Sequence, residues 1–113
     1  MDTIQILTAH LDPALRRIPG PREILDRAPT LRCADGFQLS VQAGRHNYCT
    51  PRDNTGPWSD VEVGAPSSQV ADLEPFADAP GPWAAVYAYV PLHVVAAIID
   101  QHGGVASPPA VAA

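Results

Sequence analysis

The chain has 113 residues, of which 46% are hydrophobic and 17% charged, and a net charge of −5; one domain of this length can bury roughly two thirds of the surface its unfolded chain exposes, without disulfides or metal. Thirteen prolines and eight glycines exclude long regular elements and a coiled coil, and no apolar run approaches the roughly 18 residues of a membrane span. The start, Met1-Asp2-Thr3-Ile4, lacks the basic and apolar stretches of a secretory signal, so a membrane protein, a secreted disulfide scaffold and a multidomain enzyme are set aside in favour of a small cytosolic domain.

Residues 3–18 read as helix in two pieces. Ile4, Ile6, Leu7 and Leu11 fall on or near one face, and Asp12-Pro13 resembles an N-cap followed by proline at the first helical position, opening a short turn through Ile18. Pro19-Gly20-Pro21 breaks the chain, and Pro21 opens a further short helix over 22–27 that Pro29 ends.

The clearest β signal follows. Leu31 and Cys33 alternate with Arg32, and Phe37, Leu39, Val41 and Ala43 alternate with Gln38, Ser40 and Gln42. Asp35-Gly36 marks a hairpin. A two-residue loop would pair Cys33 with Gln38 and set apolar against polar along the ladder. With the loop Ala34-Asp35-Gly36, Cys33 pairs with Phe37, Leu31 with Leu39 and Arg32 with Gln38, which restores one apolar face. The expectation is therefore the three-residue loop, with Gly36 at positive φ.

Residues 44–59 form a long, polar, irregular stretch whose aromatic residues argue against disorder. Val61 and Val63 alternate with Asp60 and Glu62, which predicts a third strand over 60–64. Residues 65–82 read as a surface segment with one helical turn over 70–76. A fourth strand is expected over 86–90, with Val86, Ala88 and Val90 on one face and Tyr87 and Tyr89 on the other. Pro91 opens a helix whose apolar face is Leu92, Val94, Val95, Ile98 and Ile99, and Gly103-Gly104 stop it. The expected fold is α+β: a small antiparallel sheet of three to four strands with N-terminal helices and one C-terminal helix. It forms a single domain over 1–104, and a mobile Pro/Ala-rich tail follows over 105–113.

Charge is unevenly distributed. All seven basic residues are arginine and all lie within residues 1–52, against five acids there; residues 53–113 carry seven acids and no Lys or Arg. Such polarity either steers a partner or is neutralised across a shared core. General nucleic-acid binding is disfavoured, because it needs clustered cations.

Cys33, Cys49, His10, His46, His93 and His102 invite a metal, and His46 and Cys49 have a usable ligand spacing. The remaining ligands are scattered, however, and Cys33 falls on the apolar face, so no metal and no cofactor is expected. A Cys33–Cys49 disulfide is disfavoured in a cytosolic chain. Cys49 with His46 or His102 as base would be a nucleophile, but no nucleophile signature surrounds it. The glycines form neither GxGxxG nor a Walker loop.

The better candidate is the loop. Arg45, Asn47, Tyr48, Thr50, Arg52 and Trp58 combine guanidinium groups, flat rings, an amide and a hydroxyl within one short stretch. That set suits a small anionic ligand or a protein hot spot. The plainer reading has Trp58 and Tyr48 covering the core while Arg52 pairs with Asp53 or Glu62. Asp60 and Glu62 extend the candidate surface, their charge suiting a basic partner, and Trp83, Tyr87 and Tyr89 offer a second aromatic surface.

The strings Arg32-Cys33-Ala34-Asp35-Gly36-Phe37, Ser40-Val41-Gln42, Tyr48-Cys49-Thr50-Pro51-Arg52, Gly56-Pro57-Trp58, Val61-Glu62-Val63-Gly64, Tyr89-Val90-Pro91 and His102-Gly103-Gly104 resemble a group of small accessory proteins. These are encoded by tailed phages and prophages of GC-rich bacteria. The resemblance spans about 31–104 and departs at Ala65, where the group favours a bulky aromatic residue. It brings no settled activity and implies a setting, the host bacterial cytoplasm. Small phage proteins without catalytic motifs commonly block host machinery. The expected function is thus a non-enzymatic inhibitor of a bacterial defence system, docking on a host defence protein in an anti-CRISPR-like manner or sequestering a small nucleotide signal. The alternatives are a phage structural or assembly component that self-associates as a homo-oligomer, and a Cys/His-dependent enzyme. No membrane partner is expected.

Overall fold

The structure is a computed structural model and describes residues 2–12, 28–79 and 86–106. The expected helical pieces over 13–18 and 22–27, Trp83 and most of the tail lie outside the described residues.

Helix α1 spans Thr3–Leu11. The Asp2 carboxylate accepts from the Gln5 amide at 2.8 Å, and the Gln5 side chain returns an acceptor to the Asp2 N–H at 2.9 Å. This reciprocal box satisfies two amides that the first turn would leave unpaired. Leu7, His10 and Leu11 are buried, whereas Ile4, placed by its spacing near the apolar face, is 42% exposed.

Strands β1 (Leu31–Arg32) and β2 (Gln38–Gln42) pair Leu31 with Leu39 and Arg32 with Gln38. The Cys33 N–H donates to Phe37 O at 2.8 Å and the Gly36 N–H to Cys33 O at 3.0 Å, closing the three-residue loop with Gly36 at φ 95°. Strand β3 (Asp60–Gly64) pairs with β2, and β4 (Val86–Pro91) pairs with β3, giving one antiparallel sheet in the order β1-β2-β3-β4. A 3₁₀ turn, Ala71–Phe76, buries Leu73, and the chain leaving it pairs Ala77 with Tyr87.

Strand β4 departs from simple alternation. Val61 pairs with Val90 but Val63 pairs with Tyr87, so β4 carries one extra residue between those pairs. This bulge, with Tyr89 at φ 54°, puts Tyr87 and Val90 both inside and turns Tyr89 out. The expectation that Tyr87 and Tyr89 share a face is therefore corrected.

Pro91 caps helix α2, Leu92–Gln101, which buries Val95, Ala96, Ile98 and Ile99. The Gly104 N–H reaches back to Ile99 O at 3.0 Å and the Gly103 N–H to Asp100 O at 3.1 Å, with both glycines at positive φ. Beyond the stop, Val105 bridges to Cys33 and the Ala106 N–H donates to Arg32 O at 2.8 Å, so the chain runs on along β1. The molecule is thus α+β, a four-stranded antiparallel sheet with an N-terminal and a C-terminal helix. Leu7 and Leu11 of α1, Leu39, Val41, Val61, Val63 and Val90 of the sheet, and Val95, Ile98 and Ile99 of α2 form one core. Each such side chain contributes roughly 1.5–3 kcal/mol on burial. Among the described residues, no helix is long and apolar enough to cross a membrane.

Candidate functional site

The 44–59 loop is held by its own polar groups. Cys49 lies at its centre: its sulfur is 3.2 Å from Gly44 O and 3.3 Å from Pro51 O, and accepts from the Gly44 N–H at 3.3 Å. Burial pushes the Cys49 thiol above its ordinary pKa, which keeps it protonated and a poor nucleophile. Cys33 is buried and raised for the same reason, and both thiols are free. Among the described residues no three of His, Cys, Asp and Glu gather to hold a metal ion.

Farther along, the Asp53 carboxylate accepts from the Gly56 N–H at 2.9 Å, the Thr55 N–H at 3.0 Å and the Thr55 hydroxyl at 3.2 Å. These bonds hold its pKa below the usual carboxylate value, the Gly56 amide contributing most. Thr50 extends the sheet: its N–H donates to Asp60 O at 3.3 Å, and its carbonyl accepts from Ser59 at 2.9 Å. The peptide bonds preceding Pro51 and Pro57 are cis.

Three side chains meet at the surface. The Tyr48 and Tyr89 rings lie 6.0 Å apart, tilted by 44°. The Arg52 guanidinium sits 5.6 Å from the Tyr48 ring centre, a geometry in which the ring face attracts the cation. The tyrosines are 38% and 43% exposed. Among the described residues Arg52 has no carboxylate partner, so the expected alternative of an Arg52 pair with Asp53 or Glu62 is not found.

Side-chain and backbone hydrogen bonds fix this arrangement. One Glu62 carboxylate oxygen accepts from the Tyr48 N–H at 3.1 Å and the other from the Asn47 amide at 3.2 Å. The Tyr89 N–H donates to Tyr48 O at 3.1 Å, binding the bulge of β4 to the loop. Glu62 and Asn47 are therefore frame rather than free recognition groups.

No protein-family model, curated protein or solved structure matches the chain. Function must be read from the site itself.

The remaining sequence candidates separate. Arg45 and Thr50 are exposed on the loop, and the Arg45 N–H is held by the Asn54 side chain at 2.9 Å. Asp60 is half-buried, with Oδ1 enclosed and lacking a hydrogen-bond partner, so that oxygen is not open to a partner on the surface. Trp58 is turned inward at 7% exposure, and its indole N–H donates to Asp53 O at 3.3 Å. The plainer reading thus holds for Trp58, while Tyr48 stays outside. Tyr89 is the member that sequence reasoning left out of the loop set. Its only signal was its place as one of two tyrosines in β4, and nothing in the strand's pattern sets it apart from the buried Tyr87.

Proposed function

We propose that this protein is a non-enzymatic binding protein that docks through Tyr48, Arg52 and Tyr89 on another protein. Its resemblance to phage accessory proteins makes a bacterial defence component, met in the host cytoplasm, the leading partner. The observation that carries this reading is Tyr89 at φ 54° with its ring outside. A left-handed conformation costs a side-chain-bearing residue about 1–2 kcal/mol, and the exposed ring recovers little of that by packing. Strain of this kind concentrates where a side chain must be aimed at a partner. Tyr and Arg are also the residues that dominate protein hot spots.

A protein is favoured over a nucleotide by the charge around the platform. Glu62 is bonded directly behind Tyr48, and no Lys or Arg follows Arg52 in the chain. A phosphate placed at Arg52 would have the Glu62 carboxylate close behind the ring that Arg52 covers. The inert setting of Cys49 supports binding over thiol chemistry.

The test is affinity capture from host lysate with the intact protein, Tyr89→Ala and Arg52→Glu, beside thermal-shift titrations with nucleotides. The expected result is capture of a defence protein, weakened about thirtyfold or more by either substitution, as loss of about 2 kcal/mol at a hot spot requires. Capture indifferent to both substitutions would overturn the reading. So would Tyr48-dependent stabilisation by a nucleotide.

A further inference from the structure

The chemistry of the tyrosine platform narrows which part of a partner it can meet. The polar groups at its surface are donors without partners. Among the described residues Arg52 faces no carboxylate, and neither the Tyr48 nor the Tyr89 hydroxyl makes a hydrogen bond. A guanidinium has N–H groups only, and each phenol has one O–H to give. The backbone here is already used: the Tyr48 N–H is bonded to Glu62 and the Tyr89 N–H to Tyr48 O. A partner strand therefore finds no free N–H at either tyrosine, and recognition falls to the side chains.

Ring geometry excludes a flat ligand that bridges both tyrosines. Their centres are 6.0 Å apart and their planes inclined by 44°, so one planar ring system cannot lie flush on both. A proline ring is puckered and presents apolar C–H edges at several angles. It also suits the donors, because proline contributes a backbone carbonyl and no N–H. A polyproline II segment has no internal hydrogen bonds, so its carbonyls are open to the phenols and the guanidinium. The proline ring fixes φ near about −65°, which lowers the ordering entropy lost on docking to so small a surface.

Arg52 adds a charge requirement. Its guanidinium lies 5.6 Å from the Tyr48 ring centre, beside the paired rings. Polyproline II has three residues per turn and rises about 3.1 Å per residue, so residues i and i+3 share a face about 9 Å apart. That spacing falls within the reach of the three side chains. Resting on the docking function, we propose that the platform binds an extended, proline-rich segment of the partner protein. A proline lies on the tyrosine pair, and an Asp or Glu three residues away meets Arg52. One carboxylate matches the single cation, whereas a phosphate group, at about −1.5 to −2, exceeds it with Glu62 close by.

Three capped peptides test this against the intact protein. They are Gly-Glu-Pro-Pro-Pro-Pro-Glu-Gly, the same with lysine for both glutamates, and the same with alanine for every proline. Each is titrated to millimolar concentration while the backbone amide resonances of Tyr48, Arg52 and Tyr89 are followed. The first peptide should shift them saturably, and the other two should bind about tenfold or more weakly. The net charge of −5 favours the lysine peptide non-specifically, so the opposite preference isolates Arg52. Arg52→Gln should remove the preference for glutamate. Tyr89→Asn should abolish the response to the first peptide while far-UV circular dichroism stays native. No saturable shift with the first peptide overturns the proposal. An equal response to either control, or binding that survives Tyr89→Asn, does the same. Lysate capture indifferent to Tyr89 is a separate result that defeats the docking function itself. Capture that depends on Tyr89 but withstands an excess of the first peptide defeats the proline segment alone.

Discussion

A methyl group added at Gly56 would lie 2.8 Å from Trp58 Cε3, whereas one added at Gly36 would meet nothing within 4 Å. Both glycines have positive φ, 67° and 95°, so both alanine variants carry the left-handed penalty of about 1–2 kcal/mol. Only Gly56→Ala adds a collision with a ring that cannot retreat, because its N–H is bonded to Asp53 O and its far side is core. Overpacking of that kind costs about 1–3 kcal/mol more. Chemical denaturation should therefore rank Gly56→Ala as clearly less stable than Gly36→Ala. Equal losses would mean that the indole moves freely. Ala65 is the converse case: it is exposed and already sits at φ 46°, a position better suited to glycine.

Elements set by neighbouring residues were legible, and those set by distant contacts were not. The β1–β2 hairpin could be read to its register because Leu31, Cys33, Phe37 and Leu39 permit one apolar face in only one pairing, and Asp35-Gly36 names the turn. Helix α2 was readable from its apolar spacing and its two stop glycines. Strand β4 was not. Its alternation breaks where the Tyr89 N–H leaves the ladder for Tyr48 O, a bond to a loop that no pattern within the strand reveals. The same bond is why Tyr89 was missed as a partner of Tyr48. Likewise Trp58 and Tyr48 looked equivalent in the sequence; the Asp53-centred turn sent one inward and the Glu62 bonds held the other out. Asparagine tolerates positive φ better than tyrosine, so Tyr89→Asn should leave the melting temperature unchanged or slightly raised. The same variant should lose the captured partner about thirtyfold or more. A marked fall in melting temperature would instead assign Tyr89 a packing role.

Across the whole molecule, two aspartates fasten turns that carry core residues, Asp35 beside Phe37 and Asp53 beside Trp58. Asp35 closes the hairpin turn through the Phe37 N–H at 2.9 Å and meets His102 Nδ1, at the end of α2, at 2.6 Å. The His102 ring stacks on Phe37, 4.0 Å between centroids. Asp53 folds the loop that carries Trp58. Both carboxyls are held below their ordinary pKa, Asp35 by the Phe37 amide first and His102 second, Asp53 by the Gly56 and Thr55 amides. A lowered folded-state pKa contributes stability that is fully present above the unfolded value of about 3.9 and is lost as pH falls through the folded value. The melting temperature should therefore decline below about pH 4. Asp53→Asn keeps an oxygen for the two amides but has no charge to lose, so its deficit against the unaltered protein should be largest at neutral pH and shrink as acid neutralises Asp53. Asp35→Asn should behave alike at the hairpin. A deficit that stays constant from neutral pH down to about pH 2 would show that neither carboxylate's ionisation contributes to holding these segments, and that their hydrogen-bond geometry alone suffices.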